Sequence, residues 1–430
     1  MAKRVDIIIK AIAIFSLFST VTNFVPFSVT FVLIVFLLPF SRVYSNKSKL
    51  YLSLIALYAY FFISTVIYSP QALFSGSFYR RDGNFFVTFL PLLLLPLFKK
   101  TFLTRIVYLR FLYFSTFVSL ACMILPRINL NPGDIIEIEE DISVNHFLFE
   151  AHNAAGGFIA VILSLIIGLW MTEKNKRERI KYAVCAMINV VALIDCGARG
   201  TLMAIVLSVA ILILVRKQIS KGKKKRFFDK LLFIIILISN IVIVAVCSDE
   251  KLYNYVLQLL HISNRTYAIS VRLTDLWPRA INLFFSSPIL GTGYGSFNDQ
   301  PYNLVRILDG LFVFNKPAQY IFSDAHAHNT FLHVMAETGL VGLGLLLNVM
   351  NNMRNEIIKL KDKSLRYCLY IALSVNVYSS FTEHRFFTPS QMLPFLLVLG
   401  MAISKNRKTQ DISSRGLANE YYYKRQISDT

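Results

Sequence analysis

Charge is scarce in this chain. Asp, Glu, Lys and Arg make up 16% of its 430 residues, and acidic residues are the scarcer sign, 25 against 45 basic ones. A soluble domain of this length needs far more polar surface than that. Cysteine is scarce as well: Cys122, Cys185, Cys196, Cys247 and Cys368 lie in or beside apolar blocks, and none forms a CxxC pair. That argues against a disulfide framework and a thiolate zinc site. A single bridge between Cys196 and Cys247, near one predicted face, stays open. No Gly-rich phosphate loop of the nucleotide type is present, so a cytoplasmic nucleotide-sugar donor finds no obvious site. There is no internal repeat, which argues against a transporter built from paired halves.

What is abundant is hydrocarbon. Hydrophobic residues make up 55%, and the mean hydropathy is +0.54. They come in blocks of ~17–25 residues, long enough to span a bilayer as helices. Spans are predicted at 6–23, 26–41, 50–68, 84–98, 104–125, 151–171, 181–196, 200–215, 230–247, 327–350, 366–381 and 387–403. The first two can instead be one span and a re-entrant piece. The apolar run behind Lys3 and Arg4 shows no small-residue cleavage site and is read as a retained span.

The fold class expected is an all-α integral membrane protein of about 12 transmembrane helices. Residues 1–247 hold spans one to nine, 248–326 form a long outer loop with short helices, 327–403 hold the last three spans, and 404–430 form a polar cytoplasmic tail.

Net charge of +20 would suggest nucleic acid in a soluble protein. Here the basic residues sit in clusters between apolar blocks, as topogenic signals do, and nucleic acid is not an expected partner. With a cytoplasmic N-terminus, the clusters around Lys47, Lys99, Lys174, Lys223, Lys359 and Lys405 all fall inside, as the positive-inside rule requires. The acidic stretch from Asp134 to Asp141 falls outside. It reads mainly as solvated loop, with metal binding the lesser alternative.

Three outer patches carry polar residues suited to chemistry. The first is Asp195-Cys-Gly-Ala-Arg199-Gly200, at a tight turn between spans. Two readings stand for Arg199: a snorkelling side chain paired with Asp195, or a functional charge at the membrane edge. The second is Arg272, with Arg279 seven residues on and so on the same helical face. Such guanidinium groups can grip a pyrophosphate, although an ordinary basic face explains them equally. The third is Asp324-Ala-His326-Ala-His328-Asn329, running into a span that contains Glu337 and Gly339. Asp324 or Ser323 is expected to cap that helix. His328 then sits in its first turns, either as an interfacial anchor or as an imidazole that accepts a proton from a sugar hydroxyl. Asn329 can orient substrate or ring. Glu337 suits a structural interhelix hydrogen bond. His326 and His328 at i,i+2 splay apart on a helix, and no further ligand stands at metal spacing.

These patches resemble the O-antigen ligase family. The matching pieces are Gly197-Ala-Arg199-Gly, Arg272 followed by Trp277 and Pro288-Ile-Leu-Gly-Thr-Gly-Tyr-Gly-Ser-Phe297, and His328-Asn329 followed by Glu337 and Gly339. The resemblance runs from about Cys196 to Gly342. It implies a GT-C-like helical fold and inverting glycosyl transfer without metal or other cofactor. The implied donor is an undecaprenyl-pyrophosphate-linked glycan, the acceptor is lipid A–core, and the place is the periplasmic face of a bacterial inner membrane. By position, Arg199 and Arg272 would hold the pyrophosphate and His328 would assist the acceptor hydroxyl. Arg279, Asn329, His326 and Glu383 are secondary candidates. The competing readings are an O-antigen polymerase on the same carrier and a polysaccharide flippase.

Overall fold

The structure, a computed structural model, describes residues 2–21, 27–41, 48–98, 102–125, 152–220, 276–297 and 326–407, with single residues between them, Arg272 included. Outside the described residues lie nearly all of the span predicted at 230–247, the acidic stretch 134–141, Cys247, Ser323 and Asp324, and the tail beyond 407.

Every described element is helical. α1 is Ala2–Ser19, α2 Phe27–Leu37, α3 Lys49–Tyr68, α4 Gly76–Arg80, α5 Asn84–Thr88, α6 Leu90–Leu94, α7 Arg105–Ile124, α8 His152–Thr172, α9 Lys176–Asp195 and α10 Arg199–Ser220. α11 is Trp277–Ser286, α12 Thr330–Ile358 and α13 Lys363–Ser379, and α14 covers 389–407. Helix thus falls on the predicted spans that are described. Four of these helices, α3, α7, α8 and α12, are both long and apolar enough to cross a bilayer. This is an all-helical membrane protein, but the dozen crossings go beyond what those lengths establish.

Local chemistry explains the helix starts. Ser48 accepts from the Tyr51 amide and Thr104 from the Val107 amide, each satisfying a donor that a first turn leaves without a partner. Asn175 and Asp362 do the same for α9 and α13. The single span expected at 84–98 is instead three short pieces, broken where Pro91 and Pro96 open new turns. Proline supplies no amide to the preceding turn and clashes with it, so the helix restarts at each ring.

Apolar side chains lie on both sides of the helices. Phe62 and Ile67 on α3, Met187 and Val191 on α9, and Met203 and Leu214 on α10 are exposed. Apolar area of that extent is unstable against water and suits lipid. Inside, α8 packs on α9 and α13, α10 on α13, and α12 on α3 and α11. Polar glue joins α7 to α9: Asn189 donates to Thr116 at 3.0 Å and accepts from Ser119 at 2.9 Å.

The two ends of the bundle differ. At one end, Arg105 meets Glu173, Thr172 meets Ser364, and Lys405 meets Asp362. Of the predicted cytoplasmic basic clusters, those around Lys174, Lys359 and Lys405 are described, and they lie at this end. The opposite end collects the 81–83 turn, the starts of α8, α10 and α12, and the 380–388 connection between α13 and α14. Arg385 bridges two of these, donating to the Asn153 carbonyl at 2.5 Å and to Thr201 at 3.2 Å.

Candidate functional site

The site is at that second end. α12 starts at Thr330 because Asn329 caps it, its Oδ1 accepting from the Phe331 and Leu332 amides at 3.0 and 3.1 Å. The cap is therefore Asn329 and neither Ser323 nor Asp324. The same bonds occupy the Asn329 oxygen. His328 precedes the helix and is not in its first turns. Its φ is +46°, the only positive value for a non-glycine among the described residues. Such a conformation costs ~1–3 kcal/mol and persists where surrounding contacts enforce it.

Those contacts are visible. His328 Nδ1 lies 2.8 Å from Glu383 Oε2, and Glu383 Oε1 lies 2.6 Å from Arg272 Nη2. One carboxylate thus joins an imidazole and a guanidinium. His328 keeps 31% of its side chain exposed, while Glu383 keeps 12%. Burial alone would raise the Glu383 carboxyl, but the hydrogen bond from His328 and the charges of Arg385 and Arg272 bring it down to about 2. Thr330 Oγ1 donates to the Glu383 carbonyl at 3.2 Å, and the Thr330 amide donates to the Ser380 carbonyl at 2.9 Å. These bonds set the α12 start against the 380–388 connection.

Behind this pair is a buried network. Asp82 Oδ1 lies 2.8 Å from His333 Nε2 and 3.5 Å from His384 Nε2. The three donor atoms lie within 4.8 Å of one another, close enough to be considered as metal ligands. Burial favours the neutral Asp82 acid, yet the imidazoles of His333 and His384 beside it hold it below the usual carboxylate range. Burial, then the adjacent His333 imidazole, lower His384 to about 4, against the pull of Asp82. Burial lowers His326 as well, beside the His328 and His384 imidazoles. The His326 ring stands 4.2 Å from His328 and stacks on His384 at 5.1 Å. Off the helix, i,i+2 spacing brings the rings together where a helix would splay them.

A third layer braces the site. Glu337 accepts from the Gly295 and Phe297 amides at 3.0 and 2.9 Å. Its structural role is thus to hold the 288–297 loop, and among the described residues it joins no second helix. α12 breaks at Gly339, where φ is 61° and ψ −163°. The Leu340 and Val341 amides that the break releases donate to the Pro288 and Ile289 carbonyls. A Cβ at Gly339 would sit 2.3 Å from the Ile289 oxygen, so the close approach needs glycine.

The remaining sequence candidates divide. Arg272 and His328 meet through Glu383. Arg199 opens α10 after a turn in which Gly197 has φ 68°, but its side chain lies outside the described residues. Arg279 is 4% exposed, with its guanidinium 5.2 Å over the Phe297 ring. Sequence reasoning missed Asp82, His384 and the role of His333. Asp82 is a lone acidic residue hundreds of positions from its partners, and its one available signal was charge between apolar blocks. Arg81, beside it, is near enough for its charge to depress His326 and His384.

The family model described as O-Antigen ligase matches residues 183–347, from within α9 to within α12. The resemblance seen in the motifs is borne out over that segment, which contains Arg199, Arg272, His328 and Glu337. No curated protein matches the chain.

Proposed function

We propose that this chain is an O-antigen ligase, transferring a glycan from undecaprenyl pyrophosphate to a sugar hydroxyl of lipid A–core. The reaction is an inverting transfer without metal, at the periplasmic face of a bacterial inner membrane, with both chain termini cytoplasmic. The observation that carries this reading is the Glu383 carboxylate joining His328 Nδ1 and Arg272 Nη2. The family match and the position of the site, at the bundle end away from the basic clusters, support it.

On this reading the steps run in order. His328 Nδ1–H donates to Glu383, which leaves the Nε2 lone pair for an incoming hydroxyl. That hydroxyl gives its proton to Nε2 as its oxygen bonds to the anomeric carbon. The bond from that carbon to the diphosphate oxygen breaks, and the electron pair leaves with the diphosphate. Glu383 faces the imidazolium as it forms and stabilises it. Arg272, which has five N–H donors and lends one to Glu383, meets the departing negative charge. Arg199 is assigned the same task from the resemblance.

The test is reconstituted transfer from a defined lipid-linked donor. Two acceptors are offered separately, lipid A–core and a second molecule of the lipid-linked glycan. Product on lipid A–core alone supports the ligase; product on the second donor alone makes the chain a polymerase. Passage of the donor across vesicles with no product would support the flippase reading and end this one.

A further inference from the structure

We infer that Asp82 is a positioning residue for the His328–Glu383 pair. It lies outside the family-matched segment and comes from a turn far away in sequence. Yet the structure places one residue-length link between it and each member of the pair.

The first link runs through His333. Asp82 Oδ1 is 2.8 Å from His333 Nε2, and His333 Nδ1 faces the Ala327 amide at 3.5 Å. Ala327 is the chain neighbour of His328. The second link runs through His384, the chain neighbour of Glu383, whose Nε2 is 3.5 Å from the same carboxylate oxygen. His384 is fixed from its faces too, stacked on Phe387 at 4.6 Å and His326 at 5.1 Å. The turn that carries Asp82 is itself pinned, because Tyr294 Oη donates to the Asp82 carbonyl at 2.5 Å. One buried carboxylate therefore clips the α12 start to the 380–388 connection. Those are the two segments that must stay in register for His328 to reach Glu383. The left-handed backbone at His328 needs such enforcement.

The same three donor atoms raise the question of a metal, and neither ring nitrogen of His384 has a hydrogen-bond partner among the described residues. The tautomer of His333 decides against it. A histidine bound to metal through Nε2 carries its proton on Nδ1. Here Nδ1 faces an amide N–H and must present its lone pair, so Nε2 carries the proton that Asp82 accepts.

The experiment uses the purified full-length chain and its Asp82→Asn and Asp82→Ala variants. The rate at which diethylpyrocarbonate modifies His328 is followed against pH by peptide mass spectrometry. Transfer kinetics, melting temperature and bound metal are measured alongside. Asp82→Asn keeps an acceptor for His333, so its defect is the milder of the two. We expect kcat to fall by roughly 10-fold in Asp82→Asn and by 10²-fold in Asp82→Ala, with donor KM little changed, as for small misplacements of a catalytic group. The pH profile of His328 modification shifts in both. An unshifted profile in Asp82→Asn protein that melts like wild type overturns the inference, as does a stoichiometric metal lost in that variant. If Asp82→Ala does not fold, the near-isosteric Asn variant still decides. The inference rests on the proposed function only for kcat. Should His328 prove dispensable for transfer, the modification profile still tests Asp82.

Discussion

Replacing His328 by Asn is the most informative change the site offers. Alanine is the usual choice, but His328 has φ +46°, where a residue with an ordinary Cβ loses ~1–2 kcal/mol. His328→Ala would therefore mix a backbone penalty with loss of the imidazole. Asparagine adopts this conformation several-fold more readily than most residues, so His328→Asn removes the base and leaves the turn. Losing a general base costs ~10²–10⁴-fold in rate, or about 3–5 kcal/mol at ~1.4 kcal/mol per decade. The structure adds a second, separable cost. Glu383 is 12% exposed and loses its His328 partner while keeping Arg272. A buried acceptor that loses one of two partners costs ~1–3 kcal/mol of stability. Initial rates at saturating donor, read beside the melting temperature in detergent, separate the two effects. The expected result is a kcat at least ~10²-fold down with a modest fall in melting temperature. A His328→Asn enzyme that transfers at close to the wild-type rate would refute the assignment of the base.

Other perturbations follow from the same geometry. Glu383→Gln should slow transfer by ~10–10²-fold, because the neutral amide neither stabilises the imidazolium nor pairs with Arg272; kcat with KM held near wild type is the readout. Arg272→Lys should weaken donor binding and rate together, since an ammonium cannot reproduce the planar fork, and a wild-type kcat/KM would remove Arg272 from the diphosphate site. Acid should destabilise the fold in two steps. His384 is held at about 4 against a usual 6.5, so the unfolded chain takes up its proton first and stability falls as pH drops from 6.5 towards 4. Glu383 is held at about 2 against a usual 4.5, so its contribution is complete above 4.5 and is lost below. Each step is worth about 3 kcal/mol, and melting temperature against pH for wild type and His384→Phe should show the first step vanish in the variant. Gly339→Ala should lower the melting temperature sharply, because its Cβ would press on the Ile289 carbonyl.

Much of the architecture was legible because a bilayer leaves little choice. Apolar blocks without backbone partners must be helical, and the blocks of α3, α7, α8 and α12 are helices of spanning length. The expectation at 84–98 failed for a local reason: hydropathy counts Pro91 and Pro96 as tolerable, whereas the backbone does not. At the site, Arg272 was legible as a cation in the outer loop and His328 as a polar residue where the next span begins. Their meeting through Glu383 was not, since a separation of 111 positions from Arg272 and 55 from His328 leaves no periodic trace. Asn329 stood in plain sight beside His328 but reads from sequence as orienting substrate or ring. An N-cap is recognised by where the helix starts, and a span predicted from 327 put that start three residues too early.

Acid is scarce in this chain, and three of its carboxylates meet at the site end of the bundle. Asp82, Glu337 and Glu383 are buried or nearly so, and a buried carboxylate without partners is unstable by several kcal/mol. Each is satisfied differently. Glu337 takes two backbone amides and fixes the 288–297 loop. Asp82 takes imidazoles on two segments and fixes their register. Only Glu383 pairs with groups that keep part of their surface exposed, His328 and Arg272 at 31% and 18%. Two of the three carboxylates therefore build the end of the bundle, and the third prepares what it presents. An imidazole whose inner nitrogen is anchored can act only through its outer one, and the cation beside it sits where a leaving anion would need it.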